Sequence, residues 1–83
     1  MKLAKYVKFR EEKFGGVLFE TRSEKVFTLN PTATAVVREI QAGSDAREIP
    51  GRLKARYRDE GDAIEREAQA FIAELRRKGL VED

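Results

Sequence analysis

The spacing of apolar residues changes abruptly within the segment 26–40, VFTLNPTATAVVREI. Before Asn30 the apolar run is typical of a strand, whereas after Pro31 apolar residues recur at the three- and four-residue spacing of a helix. Asn30 suits the N-cap position, and Pro31 suits the first helical turn, where its missing N–H costs no hydrogen bond. We therefore predict a strand followed at once by a helix that ends near Ala42-Gly43.

Three strand candidates occupy the N-terminal third of the chain, at residues 5–10, 16–21 and 25–29. Glycines in EEKFGG favour a turn between the first two, whereas the TRSE connection is inferred from the apolar runs on either side of it. Strands so close in sequence are expected to form an antiparallel meander. The third predicted strand would then lie at one edge of the sheet.

A second helix is predicted within SDAREIPGRLKARY, where Ile49, Leu53 and Tyr57 recur every four residues. Pro50-Gly51 interrupts this segment, because proline is costly inside a helix. Two geometries remain open: a separate turn followed by a helix that starts near Pro50, or one kinked helix.

The third helix is predicted over residues 63–78. Asp62 and Glu65 have the spacing of a capping box, and Gly79 followed by Leu80 is typical of a Schellman ending. The apolar stripe of this helix consists of Ile64, Ala68, Phe71, Ile72 and Leu75. Only the chain termini are expected to be loose.

These elements predict one α+β domain over residues 1–83, winged-helix-like, with a three-stranded antiparallel sheet followed by three helices. Of the 83 residues, 41% are hydrophobic and 39% are charged, so a small core must carry a densely ionic surface. No window approaches the roughly 20 apolar residues that span a bilayer. The N-terminal segment is also too charged for a signal peptide. We therefore predict a cytoplasmic protein without membrane contact.

The chain contains neither cysteine nor histidine, which removes thiolate nucleophiles, imidazole bases, disulfides and ordinary zinc sites. The carboxylates occur in mixed runs such as REEK, which are typical of solvated surfaces. We therefore predict no catalytic residues, no metal site and no cofactor. The net charge of +2 is small for a nucleic-acid-binding protein of this size.

The alternative function is that of a small winged-helix DNA-binding protein. Its candidate contacts are the cations of GRLKARYR, namely Arg52, Lys54, Arg56 and Arg58. The same run also fits an exposed helix face whose cations interact favourably with the helix C-terminus. Nucleic acid is thus the less favoured partner.

The third predicted strand, KVFTL, is apolar on both faces, and natural proteins rarely leave such an edge uncovered. One explanation is that an extended peptide adds a strand there, so that its main chain supplies affinity and its alternate side chains supply specificity. Cover by the termini of the protein or by a homodimer partner is the alternative.

Four segments in this order resemble the PqqD family of peptide chaperones, also called RiPP recognition elements: FREEKFGGVLFE, VFTLNPTATAVVREI, EIPGRLKARY and EAQAFIAELRRKGLVE. The most telling parts are Leu29-Asn30 followed by Thr32-Ala33, and FIAEL leading to Gly79-Leu80. The resemblance covers nearly the whole chain. Pro50-Gly51 departs from the pattern, because members more often have uninterrupted helix at this place.

The resemblance implies a non-catalytic chaperone that binds the leader segment of a ribosomally made precursor peptide and presents it to a modifying enzyme, often a radical SAM enzyme. In that family the leader pairs with the third strand and lies against the third helix. The corresponding strand residues are Lys25, Val26, Phe27, Thr28 and Leu29. On the helix, spacing beside a core line of Ala68, Phe71 and Leu75 selects Glu65, Gln69, Ile72 and Arg76.

Overall fold

The computed structural model describes residues 1–58 and 61–83. The described strands are β1 (Lys2–Leu3), β2 (Val7–Glu12), β3 (Gly15–Glu20), β4 (Lys25–Leu29) and β5 (Val81–Glu82). The described helices are α1 (Pro31–Gln41), α2 (Ile49–Tyr57) and α3 (Ala63–Arg77). The predicted α+β class, with a three-stranded antiparallel sheet followed by three helices, is confirmed.

The main sheet has the strand order β2-β3-β4, so β4 lies at an edge as predicted. A second, two-stranded ladder joins the ends of the chain, with Lys2 opposite Glu82. The expectation of loose termini was therefore wrong. The Ala4 N–H donates to the Leu80 carbonyl over 2.9 Å and extends this ladder to the point where α3 ends.

Helix α1 packs on one face of the main sheet, and α2 and α3 pack against α1 on the same side, which makes a two-layer structure. The largest fully buried apolar side chains come from both layers: Leu18, Val36, Val37, Ile40, Ile49, Leu53 and Leu75. The opposite face of the sheet is turned to solvent, and we call it the outer face. None of the helices, over the residues described, combines the length and apolarity needed to cross a membrane.

The junction between β4 and α1 has the predicted cap. Asn30 adopts an extended backbone, and its side-chain oxygen accepts a hydrogen bond from the Ala33 N–H over 2.8 Å. Pro31 occupies the first helical turn. The predicted end of α1 is also confirmed, because Ala42 is the C-cap and Gly43 follows with a φ of +90°.

Helix α2 begins at Ile49 and carries Pro50 within its first turn, where proline removes no helical hydrogen bond. A separate turn precedes it, closed by a 2.9 Å hydrogen bond from the Glu48 N–H to the Asp45 carbonyl. Of the two geometries left open by the sequence, the separate turn is therefore correct.

Glu39 joins α1 to α2. Only 4% of this residue is exposed, and its carboxylate accepts hydrogen bonds from Ser44 at 2.7 Å, Arg52 at 2.8 Å and Arg56 at 3.0 Å. The Ser44 hydroxyl is the largest cause of a lowered Glu39 pKa, and the two guanidinium groups add to it against the opposing effect of burial. Glu39 thus remains ionised inside the helical layer.

The C-terminal end of α3 has the predicted structure, whereas its N-terminal end differs from the prediction. The Leu80 N–H donates to the Leu75 carbonyl and the Gly79 N–H to the Arg76 carbonyl, which is the predicted Schellman pattern. The capping box of Asp62 is absent among the described residues: its carboxylate pairs with Arg66 at 3.0 Å and caps no N–H. The physical reason is its backbone, which lacks the extended conformation of a cap, with φ at −120° and ψ at 20°.

Replacing Asn30 with alanine removes the cap acceptor, so we expect the free energy of unfolding to fall by about 1 kcal/mol. Asn30→Ser keeps an oxygen that can cap the helix and should lose less. Urea denaturation followed by circular dichroism measures both variants. Equal losses in the two variants would contradict a capping role.

Glu39→Gln keeps the shape of the side chain but removes its charge, so we expect a loss of about 2 kcal/mol at neutral pH. Because folding lowers the pKa of Glu39, its charge stabilises the fold above the unfolded pKa of about 4.5. This contribution is lost as pH falls through the lower, folded pKa. The stability gap between wild type and variant should therefore shrink below about pH 4.5. A gap that is constant from pH 7 to pH 3 would contradict this account.

Candidate functional site

The direction of the main-chain groups of β4 follows from a hydrogen bond at the end of the neighbouring strand pair. The Thr21 N–H donates to the Tyr6 carbonyl over 2.8 Å, so the main-chain polar groups of Thr21 face β2. Successive residues of a strand direct these groups to alternate edges. Leu18, three residues earlier, therefore faces β4, where its partner is Phe27.

Val26 and Thr28 flank Phe27 and so direct their N–H and carbonyl groups away from the sheet. The side chains of these two residues lie on the outer face, whereas Phe27 and Leu29 point to the helical layer. The edge of β4 thus offers main-chain donors and acceptors at every second residue. An additional extended strand could pair with them.

An apolar groove lies between β4 and α3, beside this open edge. It encloses a cavity of about 140 Å³. At roughly 30 Å³ for one water molecule, the cavity has the volume of between four and five waters. One side chain of the size of leucine or phenylalanine would fill it. The groove is lined by Leu18, Phe27, Thr28, Leu29, Phe71, Glu74, Leu75, Lys78 and Leu80.

Two charged side chains of α3 form the rim of the groove. The Lys78 ammonium lies 5.5 Å from the centre of the Phe27 ring, within the range of a cation–π contact. It also lies 3.6 Å from the Glu74 carboxylate, which pairs with Arg77 as well. The rim is therefore ionic and solvated, while the floor is apolar.

The end of the groove where β4 begins carries charges of both signs. Glu20 accepts hydrogen bonds from the Ser23 hydroxyl and from the N–H groups of Arg22 and Ser23, and the Ser23 hydroxyl contributes most to its lowered pKa. Its cross-strand partner is Lys25. An ionised Glu20 and Lys25 therefore lie on neighbouring strands at this end of the groove.

Asn30 connects β4 and α1 with α3 at the other end of the groove. Its side-chain nitrogen donates to Glu67 of α3 over 3.1 Å, while its oxygen caps α1. Glu67 begins a row of side chains at i, i+4, i+7 and i+11 that runs along the groove. This groove row consists of Glu67, Phe71, Glu74 and Lys78.

The helix residues predicted for the peptide site belong to a second row, Glu65, Gln69, Ile72 and Arg76. Gln69, Ile72 and Arg76 line a different hollow, which α3 forms with Ala46 and Pro50. Glu65 lies 3.9 Å from Lys54 of α2. Of the predicted strand residues, Phe27, Thr28 and Leu29 line the groove, whereas Val26 lies on the outer face. The four predicted helix residues lie beside α2.

This placement corrects the side of α3 that we expected to face β4. The two rows have identical spacing and are offset by two residues, about 200° around a helix. The expected core line contained Phe71, but Ile72 is the buried residue, at 4% exposure, and Phe71 is half-buried in the groove. Whether the second row contacts a peptide stays a prediction.

The sequence did not predict that Phe71, Glu74 and Lys78 line the groove. A signal that could have found them is the Schellman ending, since it folds Leu80 back beside Leu75 and so marks the flank of α3 near the sheet. Neither the apolar stripe nor helical spacing distinguishes Phe71 from Ile72.

The cations proposed for DNA contact are largely engaged within the protein. Arg52 and Arg56 pair with the buried Glu39, and Lys54 lies near Glu65. Arg58 is the C-cap of α2 and has a left-handed backbone, with a φ of +52°. The run GRLKARYR thus holds helices together, and a DNA-binding function is not favoured.

Comparison with solved structures identifies two proteins of the same fold. One is described as TbiB1 in complex with the TbiA(beta) leader peptide: it is 23% identical, with a TM-score of 0.82, and the match covers 99% of this chain and 95% of that one. The other is a lasso peptide synthetase B1 complexed with the leader peptide, at 24% identity and a TM-score of 0.79, covering 99% and 96%.

Among curated proteins, no sequence matches this chain. The family model described as coenzyme PQQ synthesis protein D, PqqD, matches residues 15–81. These residues include β3, β4 and all three helices, and thus both walls of the groove. The family relationship predicted from the sequence is confirmed, and the chain belongs to the PqqD family.

Proposed function

We propose that this protein binds the leader segment of a ribosomally made precursor peptide as an added strand on β4. The observation that carries the proposal is the combination of outward main-chain groups at Val26 and Thr28 with the apolar groove beside them. Main-chain pairing would supply affinity along the edge, and the groove would select an apolar side chain of the peptide. The two solved relatives of this fold are both described as leader-peptide complexes, which supports the choice of ligand.

The groove suits a moderate affinity that permits release. A micromolar complex corresponds to about −8 kcal/mol. Four strand hydrogen bonds at roughly 1 kcal/mol each and one or two buried apolar side chains at about 2 kcal/mol each supply about 6 to 8 kcal/mol before any cost of association. Some of this energy offsets the ordering of the peptide, so very tight binding is not expected.

In this proposal the protein is a non-catalytic chaperone that presents the peptide to a modifying enzyme. Holding the leader while docking on the enzyme turns a bimolecular encounter into a nearly intramolecular one. The resemblance implied a radical SAM enzyme as the partner. Because one relative is a lasso peptide synthetase component, an enzyme of lasso peptide synthesis is the second class to test.

Proline at position 28 tests the strand addition. Thr28→Pro removes an outward N–H and places a ring in the path of the peptide, while the ladder to β3 remains. We expect leader affinity to fall at least tenfold, about 1.4 kcal/mol, in calorimetric titration with a synthetic leader peptide. The precursor encoded nearest the gene for this chain supplies that peptide.

Thr28→Ala is the matched control, because it removes the side chain at the same position and keeps the N–H. Its affinity should stay within about threefold of wild type, which is under 1 kcal/mol. Circular dichroism checks that each variant is folded. If a folded Thr28→Pro variant bound the leader as tightly as Thr28→Ala, strand addition at this edge would be excluded.

A matched pair of substitutions tests which row of α3 contacts the peptide. Phe71→Glu places a carboxylate in the wall of the groove and should weaken leader binding more than tenfold, because an unpaired charge is costly to desolvate. Gln69→Glu introduces the same group in the second row and should change affinity less than twofold. The opposite ranking in folded variants would assign the peptide to the second row and its hollow beside α2.

A further inference from the structure

The outer face of the sheet carries apolar side chains at its centre and along β4. Val26 is 59% exposed and Phe19 is 37% exposed, and the two lie opposite each other on β4 and β3. Val17 occupies the next row, opposite Thr28. We call Val17, Phe19 and Val26 the outer patch. The helical layer lies on the other face of the sheet, so within the described residues none of it covers the outer patch.

Cations border the outer patch on the strand farthest from the groove. Lys8 of β2 lies opposite Phe19, and Arg10 lies opposite Val17. Both side chains are exposed, and Arg10 also pairs with Glu12 at 2.7 Å. The surface therefore runs from a basic rim on β2 to an apolar edge on β4.

Strand addition on β4 would extend this surface. Side chains of a strand alternate between faces, so every second residue of the bound peptide would stand beside Val26 and Thr28 on the outer face. Three strands of five residues present roughly 240 Å², and a fourth strand adds about one third to this area. The peptide would thus become part of the surface that a partner meets.

We propose that the outer patch and the outward side chains of the bound leader together form the docking surface for the peptide-modifying enzyme. This inference rests on the proposed function. The enzyme would contact the patch with an apolar area bordered by acidic residues, matching Lys8 and Arg10. Because part of the surface belongs to the peptide, the enzyme would bind the loaded chaperone more tightly than the empty one.

The area of the patch argues against a stable second copy of the chain on this face. Stable interfaces bury about 800 Å² on each partner, several times the area of the three-stranded face. A small surface that becomes larger when the peptide binds suits a short-lived complex between the loaded chaperone and the enzyme. The basic rim also pairs more readily with an acidic partner than with another copy of the same cations.

Phe19→Glu and Lys8→Glu test the proposal, because neither residue contributes to the groove or to the edge of β4. The experiment measures binding of the modifying enzyme encoded with the precursor to the immobilised full chain, with and without the leader peptide. Wild type should bind the enzyme several-fold more tightly when loaded. Each variant should bind the enzyme about tenfold more weakly than wild type. The effect of Lys8→Glu should shrink at high salt.

Ala55→Glu, at an exposed position of α2, is the matched control and should bind the enzyme like wild type. Calorimetry should give the same leader affinity for all three variants, within twofold. If wild type does not bind the leader, the proposed function fails. If the leader binds normally but both outer-face variants keep full enzyme affinity, only the docking surface is excluded.

Two other outcomes would also overturn the assignment of the occupant. Sedimentation of wild type as a dimer that Phe19→Glu dissociates would assign the patch to a second copy of the chain. Binding to vesicles of phosphatidylcholine and phosphatidylglycerol that both variants lose would assign it to a lipid surface.

Discussion

The side chain of Asn30 joins the three elements on which the groove depends. Its oxygen caps α1 directly after β4, and its nitrogen holds Glu67 of α3. A strand edge and a helix form a groove only if their separation is maintained, and the Asn30–Glu67 hydrogen bond contributes to this at the end of β4, together with the packing of α3 on α1 and α2. At the other end, Leu80 returns beneath α3 through the Schellman turn and closes the floor. A side-chain hydrogen bond at one end of the groove and a backbone turn at the other thus help to set the spacing of its walls.

Helix α3 separates two different environments with two rows of side chains. The groove row faces β4, whereas the second row faces α2 and includes the buried Ile72. The ion pairs of Glu39 hold α2 against α1 and so keep the second hollow in place. Substitutions in one row therefore need not disturb the other, which makes the two sides of this helix separable in experiment.

Local chemistry explains why most of the fold, and only part of the candidate site, could be predicted from the sequence. Asn30-Pro31 and Gly79-Leu80 specify helix ends through their own backbone preferences, and the edge position of β4 follows from the order of the strands. The groove row could not be predicted in this way. Phe71 and Ile72 are adjacent and equally apolar, so the choice between them is made by packing against β4 and α2. The pairing of β1 with β5 was not predicted because two-residue strands are too short to show a periodic pattern.

The pairing of β1 with β5 places residues 2 and 82 on adjacent strands, roughly 5 Å apart. Met1 and Asp83 line a hollow together with Arg76, on the flank of α3 away from the groove. A short linker could therefore connect the two ends without crossing the groove, which makes the domain a suitable candidate for circular permutation. A tag or a second domain attached at either end would likewise begin on the flank of α3 away from the groove. Such a fusion would leave the groove open.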